Sequence, residues 1–504
     1  MIPMTAGEIA EICGGELHHV DPDAPVIGPA EFDSRAVTQG CIFLALPGAR
    51  ADGHDFAAQA ASAGAALVLA ARPVDVPCCV VTPLGPQASN ADAFAHDPDG
   101  SGAAVLEALG RLARATVDGL TADGGLTVVG VTGSAGKTST KDMMATVLRT
   151  AGPTVAPRGS FNNEIGHPYT VLQCGPGTRH LVAEMSARGV GHIAHLARIA
   201  PPRIGAVLNV GTAHLGEFGS RETIARAKGE LVEALPEAAD GGVAILNADD
   251  PLVAGMAPRT RARVVTFSAE GRADAGYRAE DVDLDELARA SFTLRFPDGS
   301  AHPVRLRVHG AHQVANALAA AAAGVAAGIA PARVAAALSD HVAASERRMD
   351  VRTRADGVTI INDSYNANPD SMRAGLDALA RTAAAREGAA AWAVLGQMGE
   401  LGDDSAAEHE QLAGVVAEQG VDTLVAVGSG EGVAALAGAA EAAGVTVIRA
   451  ADVDAAVASA AAGVGPGDVV LVKASYADGL WRVADGLLAD DAAAADPAAQ
   501  GTED

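Results

Sequence analysis

A three-domain α/β protein is predicted by two features of this chain. Short, near-continuous apolar runs alternate with helical stretches, and one such run breaks into a glycine-lysine loop at the head of a helix. The 504 residues, 49% of them hydrophobic, are enough for roughly three domains of about 150 residues each. Residues 1–124 read as a small α/β N-terminal domain, because the apolar runs Cys41–Leu46, Ala65–Ala70 and Cys78–Val81 are separated by Gly, Pro and Asp. Within it, residues 83–102 read as a flexible excursion before a helix. Residues 125–345 read as a central parallel-sheet domain, since His180–Glu184, Gly205–Val210, Val243–Asn247 and Val264–Phe267 are too continuously apolar to have a solvated face. A second series, Val358–Ile361, Ala393–Leu395, Thr423–Val427, Val445–Ile448 and Val469–Val472, predicts a C-terminal Rossmann-like domain over residues 346–489. The tail, 490–504, has no large apolar side chain and is expected to be disordered.

The loop that makes the central domain P-loop ATPase-like is Val128-Val129-Gly130-Val131-Thr132-Gly133-Ser134-Ala135-Gly136-Lys137-Thr138-Ser139. Gly133 and Gly136 allow a tight turn whose N–H groups face an anion, with Ser134, Ala135 and Ser139 in the same cradle. Lys137 reaches terminal phosphates, and Thr138 is placed to ligate magnesium. The usual first glycine of such a loop would fall at Val131, so this is the shorter G-x-x-G-K-T form. A plain glycine turn with a surface lysine is the competing reading, and the strand, loop and helix order speaks against it.

With 62 acidic and 36 basic residues the chain carries a formal charge of -26, a field that repels nucleic acid and anionic membrane. Alanine-rich stretches such as Ala317–Ala323 are broken by Gly and Pro and read as buried helices, not membrane spans. Met1–Glu8 has no basic leader or apolar core of a signal, and the five cysteines lack C-x-x-C spacing. A cytoplasmic protein with reduced thiols is therefore expected.

Ligands of open α/β sheets bind where strands end. Glu184 closes one strand and His214 follows another, so the pair could hold a second divalent cation, Mg²⁺ or Mn²⁺. Lys228, in Ala225-Arg226-Ala227-Lys228-Gly229-Glu230, reads from its own surroundings as a solvated helix lysine paired with a neighbouring Glu.

The order of these segments resembles the Mur ligase family of peptidoglycan synthesis. The N-terminal Asp33-Ser34-Arg35 and Gly48–Phe56 are similar to the family's uridine-nucleotide region, which implies substrate contacts at Ser34 and Arg35. Asn162-Asn163-Glu164-Ile165-Gly166-His167-Pro168, Thr212-Ala213-His214-Leu215 and Ala227-Lys228-Gly229-Glu230 then follow in the family's order. By resemblance Lys228 carries a CO₂-derived carbamate that supports a metal site with Glu184 and His214, and Asn162 and Asn163 contact substrate. Asn316 corresponds to an adenine-contacting asparagine, and Arg348 and Asp363 to nucleotide contacts. The block Asn362–Pro369 supplies acceptor contacts through Tyr365, Asn366 and Asn368. The branch with this block implies ATP-dependent joining of D-Ala-D-Ala to UDP-MurNAc-tripeptide through an acyl phosphate, by a monomer. The alternatives are the sister that adds residue three, which carries an Asp-Tyr-Ala-His type sequence there, and a non-catalytic Mur-like subunit. Three departures stand out: Glu184-Met185-Ser186-Ala187 replaces Glu-Met-Gly-Ala, Gly191-His192-Ile193 replaces Gly-Glu-Ile, and Lys473-Ala474-Ser475-Tyr476 replaces Lys-Gly-Ser-Arg.

Overall fold

A computed structural model describes residues 1–48, 51–86, 96–212 and 215–495. Residues 87–95 of the expected excursion therefore lie outside the described residues, as do Ala49 and Arg50. The N-terminal sheet has the order Glu16–His18, Cys78–Val80, Leu67–Ala70, Ile42–Leu44, Ala30–Glu31, with only the first pairing antiparallel. Its strands alternate strictly. Ile42, Leu44, Leu67 and Leu69 join a core with helices Ala6–Cys13 and Ser101–Gly124, while Phe43, Val68 and Ala70 pack beneath Ala57 and Ala60. Helix Ser101–Gly124 also packs on the central helices Gly166–Val171 and His192–Ile199, so one continuous core joins the first two sheets. The chain leaves that helix at Gly125, whose φ of 68° only glycine adopts freely.

The central sheet is nine-stranded, ordered Ala301–His309, Arg289–Arg295, Tyr277–Leu284, Arg263–Ser268, Val243–Asn247, Ile204–Val207, Thr127–Thr132, His180–Glu184, Thr154–Val155. Pairings from Thr154–Val155 through Tyr277–Leu284 are parallel, as expected. The last two are antiparallel, a meander that the parallel-sheet reading missed. Its signal is a two-residue alternation, with Ala290, Phe292 and Leu294, then Val304, Leu306 and Val308, buried between more exposed neighbours. Helix Gln313–Ala326 buries Ala317–Ala323 completely, because side chains this small let it lie close against helix Lys137–Arg149. Among the described residues no helix is long and apolar enough to cross a membrane.

The C-terminal sheet is ordered Asp350–Thr353, Thr359–Asn362, Val469–Lys473, Ala391–Leu395, Thr423–Val427, Thr446–Ala450. All of its pairings are parallel except that of the edge strand Asp350–Thr353. The last helix, Trp481–Ala495, runs into the segment expected to be disordered from 490, since Ala492–Ala495 favour helix more than any other residue type would. Residues 496–504 lie outside the described residues.

Candidate active site

The central and C-terminal sheets turn the carboxyl ends of their strands toward one cavity of about 520 Å³. On the central side its wall begins at the phosphate loop, between strand Thr127–Thr132 and helix Lys137–Arg149. Gly136 caps that helix with φ 80°, which strains any residue with a side chain, and a Cβ there would also meet Asn316 Oδ1 at 2.6 Å. Ser134, Ala135, Thr138 and Ser139 line the cavity as expected. Asn209, which sequence reasoning passed over, holds the loop in shape. Its Oδ1 accepts the Ala135 N–H at 2.9 Å, its Nδ2 donates to the Ala135 carbonyl at 3.1 Å, and its own carbonyl accepts the Ser134 N–H at 3.1 Å. The available signal was an asparagine directly after the strand run Gly205–Leu208.

Lys137 Nζ donates to the Gly133 carbonyl at 2.9 Å, and burial pushes its pKa down while the Glu184 charge pulls it back up. Glu184, 1% exposed at the end of its strand, accepts from Asn162 Nδ2 at 2.7 Å and from Thr138 Oγ1 at 3.3 Å through Oε1. Its Oε2 is buried with no hydrogen-bond partner among the described residues. A buried, unsatisfied carboxylate oxygen beside a threonine hydroxyl and a phosphate loop is what a divalent cation would satisfy, so Thr138 and Glu184 fit Mg²⁺. Among the described residues no three His, Cys, Asp or Glu side chains converge as a metal site. The expected set leans instead on a hydroxyl, a lysine and His214, which with Ala213 lies outside the described residues.

The solvated reading of Lys228 is overturned. The residue is 3% exposed, outside the cavity wall, and has no ion pair or hydrogen bond among the described residues. Burial, with the nearby charge of Lys137 second, holds its pKa well below the ordinary lysine range. The Glu expected to pair with it, Glu230, faces the other way and accepts the N–H groups of Gly191 and Ala194 at 2.5 and 2.9 Å, capping helix His192–Ile199.

The opposite wall comes from the C-terminal domain. Arg348 donates to Ser160 Oγ at 2.6 Å, which itself lies 3.1 Å from Thr138 Oγ1, and its guanidinium sits 4.2 Å from the Tyr365 ring centroid. Asp363 accepts from the Met349 N–H at 3.1 Å and from buried Lys473 Nζ at 2.5 Å, and Lys473 also donates to the Asn366 carbonyl at 2.8 Å. Lys473 thus shapes the Asn362–Pro369 turn. Asn368 Oδ1 accepts the Ser371 N–H at 2.9 Å and caps helix Pro369–Ala384, leaving its amide nitrogen for a ligand. Asn163 likewise builds a turn, its Oδ1 accepting from the Gly166 N–H at 2.9 Å. The domains are tied across the cavity by Arg188 to Glu400 at 2.7 Å and by the Thr212 N–H to Asp370 at 3.1 Å.

Ser34 and Arg35 are not brought to this cavity. Arg35, its side chain 84% exposed, pairs with Asp33 at 2.8 Å. The ring of neighbouring Phe32 packs with Phe161 and Tyr169 at centroid distances of 6.4 and 5.3 Å, linking this loop to the Ser160–Asn163 wall. As for the three departures, Ser186 and His192 lie in the wall, His192 with Nδ1 3.4 Å from Glu164, and the Tyr476 ring centroid sits 5.8 Å from that of Tyr365 where an arginine was expected.

Comparison with known proteins gives three family matches in chain order: the Mur ligase family catalytic domain over residues 30–116, the Mur ligase middle domain over 131–324, and the Mur ligase, glutamate ligase domain over 347–476. The chain is 54% identical to the UDP-N-acetylmuramoyl-tripeptide–D-alanyl-D-alanine ligase of Mycobacterium tuberculosis, over 97% of this chain and 99% of that one. Its fold is similar to crystalline MurF of Acinetobacter baumannii, with TM-score 0.80, 29% identity and 97% and 99% of the two chains covered. MurF of Thermotoga maritima in complex with ADP gives TM-score 0.73 at 29% identity, covering 92% and 98%. Family matches in series over most of the length, around a cavity built jointly by the central and C-terminal sheets, establish that the chain belongs to the Mur ligase family.

Proposed function

We propose that this chain is the ATP-dependent ligase that joins D-Ala-D-Ala to UDP-MurNAc-tripeptide, yielding UDP-MurNAc-pentapeptide, ADP and phosphate. The observation that carries the reading is the placement of Tyr365, Asn366 and Asn368 in the same cavity as the phosphate loop, although more than two hundred residues separate them in sequence. The relative from Mycobacterium tuberculosis named for this reaction supports the choice of substrates.

A carboxylate is a poor electrophile, so the peptide carboxylate oxygen first attacks the γ-phosphorus of ATP and ADP leaves, giving an acyl phosphate. The amine of D-Ala-D-Ala then attacks the carbonyl carbon, loses a proton, and the tetrahedral intermediate expels phosphate. The loop N–H groups of Gly136 and Lys137, the Lys137 side chain and Arg348 supply the positive groups that neutralise the transferred phosphoryl. Asn316 against Gly136 and Asp363 beside Lys473 define the nucleotide side of the cavity. Mg²⁺ held by Thr138 and Glu184 would supply charge neutralisation of the phosphates. A buried lysine without a counter-ion is a nucleophile toward CO₂: the neutral Nζ adds to carbon and releases a proton, leaving a carbamate. On this reading Lys228 becomes an anion in place of an uncompensated buried cation, and with His214 it completes a second metal site. Ser34 and Arg35 take the uridine nucleotide at the N-terminal domain, and the protein works as a cytoplasmic monomer.

Phosphate release with UDP-MurNAc-tripeptide, ATP and D-Ala-D-Ala tests the reading, each component being omitted in turn. Release should require all three. Release that instead follows a diamino acid with UDP-MurNAc-dipeptide would assign the chain to the sister reaction.

A further inference from the structure

One buried ionic cluster has no part in the mechanism above. Lys141, one helical turn beyond Lys137, is 1% exposed and donates to Asp142 Oδ1 at 2.5 Å, to the Pro157 carbonyl at 2.9 Å and to Ser345 Oγ at 3.4 Å. The Ser345 hydroxyl in turn donates to Asp142 Oδ2 at 2.6 Å. A second tie joins the same helix to the same segment, Thr146 Oγ1 to His341 Nδ1 at 2.8 Å. Residues 341–349 are the connection between the central and C-terminal domains, so the phosphate-loop helix grips this connection at two points.

Three residues beyond Ser345 the connection delivers Arg348 to the cavity. On either side of it Arg347 and Met349 hold the left-handed conformation, with φ of 59° and 51°, which non-glycine residues keep only where their surroundings over-determine it. Contacts with the C-terminal domain supply half of that determination. The Arg347 guanidinium lies 4.4 Å from the Trp481 ring centroid and 5.4 Å from that of Tyr476, its carbonyl accepts the Tyr365 N–H at 3.2 Å, and the Met349 N–H binds Asp363. Ser345 supplies the other half from the central side.

We infer that the buried Lys141–Asp142–Ser345 cluster is a positioning site for the ligase reaction: it clamps the interdomain connection to the phosphate-loop helix and so fixes the Arg348 guanidinium relative to the phosphates. The anchor and the phosphate loop share one helix, so loop and arginine are held in one frame. This rests on the assignment of Arg348 to the transferred phosphoryl. A misplaced charge-stabilising group costs rate more than binding of the rest of the substrate, so a positioning role separates from a merely structural one in the kinetics.

The test compares full-length Ser345→Ala, Asp142→Asn, Arg348→Ala and the Ser345→Ala/Arg348→Ala double variant in the phosphate-release assay, with thermal unfolding of each. Ser345→Ala should lower kcat by about tenfold with the KM for D-Ala-D-Ala changed by less than about twofold, and should cost nothing further once Arg348 is gone. Asp142→Asn should behave as Ser345→Ala does. An equal loss from Ser345→Ala in both backgrounds, or no loss in the wild-type background, overturns the inference. Calorimetric titration of each protein with ADP and with a nonhydrolysable ATP analogue supplies a readout without turnover. The preference for the analogue over ADP should fall in Ser345→Ala and be unaffected by that change in the Arg348→Ala background. If the unaltered protein releases no phosphate with these substrates, the ligase reading fails, and the titration still decides whether Ser345 acts through Arg348.

Discussion

Glu184 and Lys473 line the phosphate-loop cavity, each 1% exposed at the end of its strand, whereas the Arg35 side chain of the N-terminal domain stands 84% exposed on a loop, with only Asp33 for a partner among the described residues. The phosphate-loop cavity therefore holds its charges desolvated before any ligand arrives, which is where electrostatic stabilisation of a transition state is strongest. The Asp33–Arg35 loop presents charges still in water, where they contribute through the ligand they meet. On the proposed function chemistry and recognition fall in two regions, which the Phe32, Phe161 and Tyr169 rings join. If the separation is real, substitutions in the cavity act on kcat and substitutions on the loop act on KM.

The largest effect is expected at Lys228. If Lys228 carries the proposed carbamate, Lys228→Ala should abolish turnover, by roughly 10³-fold or more in kcat, because it would remove the anion that the proposed second metal site needs. The fold should survive, since the change deletes a buried amine that has no counter-ion among the described residues. Short carboxylates added to the assay should restore part of the rate by occupying the space with the missing charge. A variant with unchanged kcat would place Lys228 outside the chemistry. Next comes Lys137→Ala, expected to cut kcat by roughly 10²-fold through loss of one preorganised donor to the phosphates. Measured side by side, the two variants should leave the KM for UDP-MurNAc-tripeptide within about threefold of its original value.

These central residues were also the ones most legible in the sequence. The phosphate loop is legible because the chemistry needs particular residue types within a few positions of each other at a strand end, and Glu184, 46 residues beyond Thr138, because it closes a strand of the same sheet. Lys228 was legible only through family resemblance, since its helix alone reads as solvated. Asn209 and Ser345 were not legible, for a physical reason. Asn209 acts on a loop 74 residues away and Ser345 on a carboxylate 203 residues away, so their roles depend on which strands and helices the topology makes neighbours. The meander from Tyr277 to His309 was missed although its alternation is clear, because the parallel pattern of the preceding strands was extended over it.

On the recognition side, Arg35→Ala should raise the KM for the UDP-linked substrate by roughly tenfold, the usual scale for one charge-assisted contact in water, with kcat changed little. A fall in kcat with KM intact would dissolve the separation between the two regions.

The smallest effect concerns the joint between them. His167, in helix Gly166–Val171, is 2% exposed, and its Nε2 is buried without a hydrogen-bond partner among the described residues. Burial pushes its pKa down from 6.5 to about 4. The unfolded chain therefore binds a proton below pH 6.5 that the folded chain refuses until about pH 4. Stability rises with pH wherever the unfolded state binds more protons, so this group's contribution is intact above pH 6.5 and is lost as pH falls toward 4, by on the order of 3 kcal/mol in all. Burial lowers the pKa of His180, His309, His312, His341 and His409 as well, so the comparison must be with a variant. His167→Gln cannot take up the proton, and the drop in its melting temperature between pH 7 and pH 5 should be smaller than that of the unaltered protein. Equal drops would mean that His167 is protonated in the folded state, and that the helix joining the phosphate-loop wall to the aromatic rings is more open to water than its burial implies.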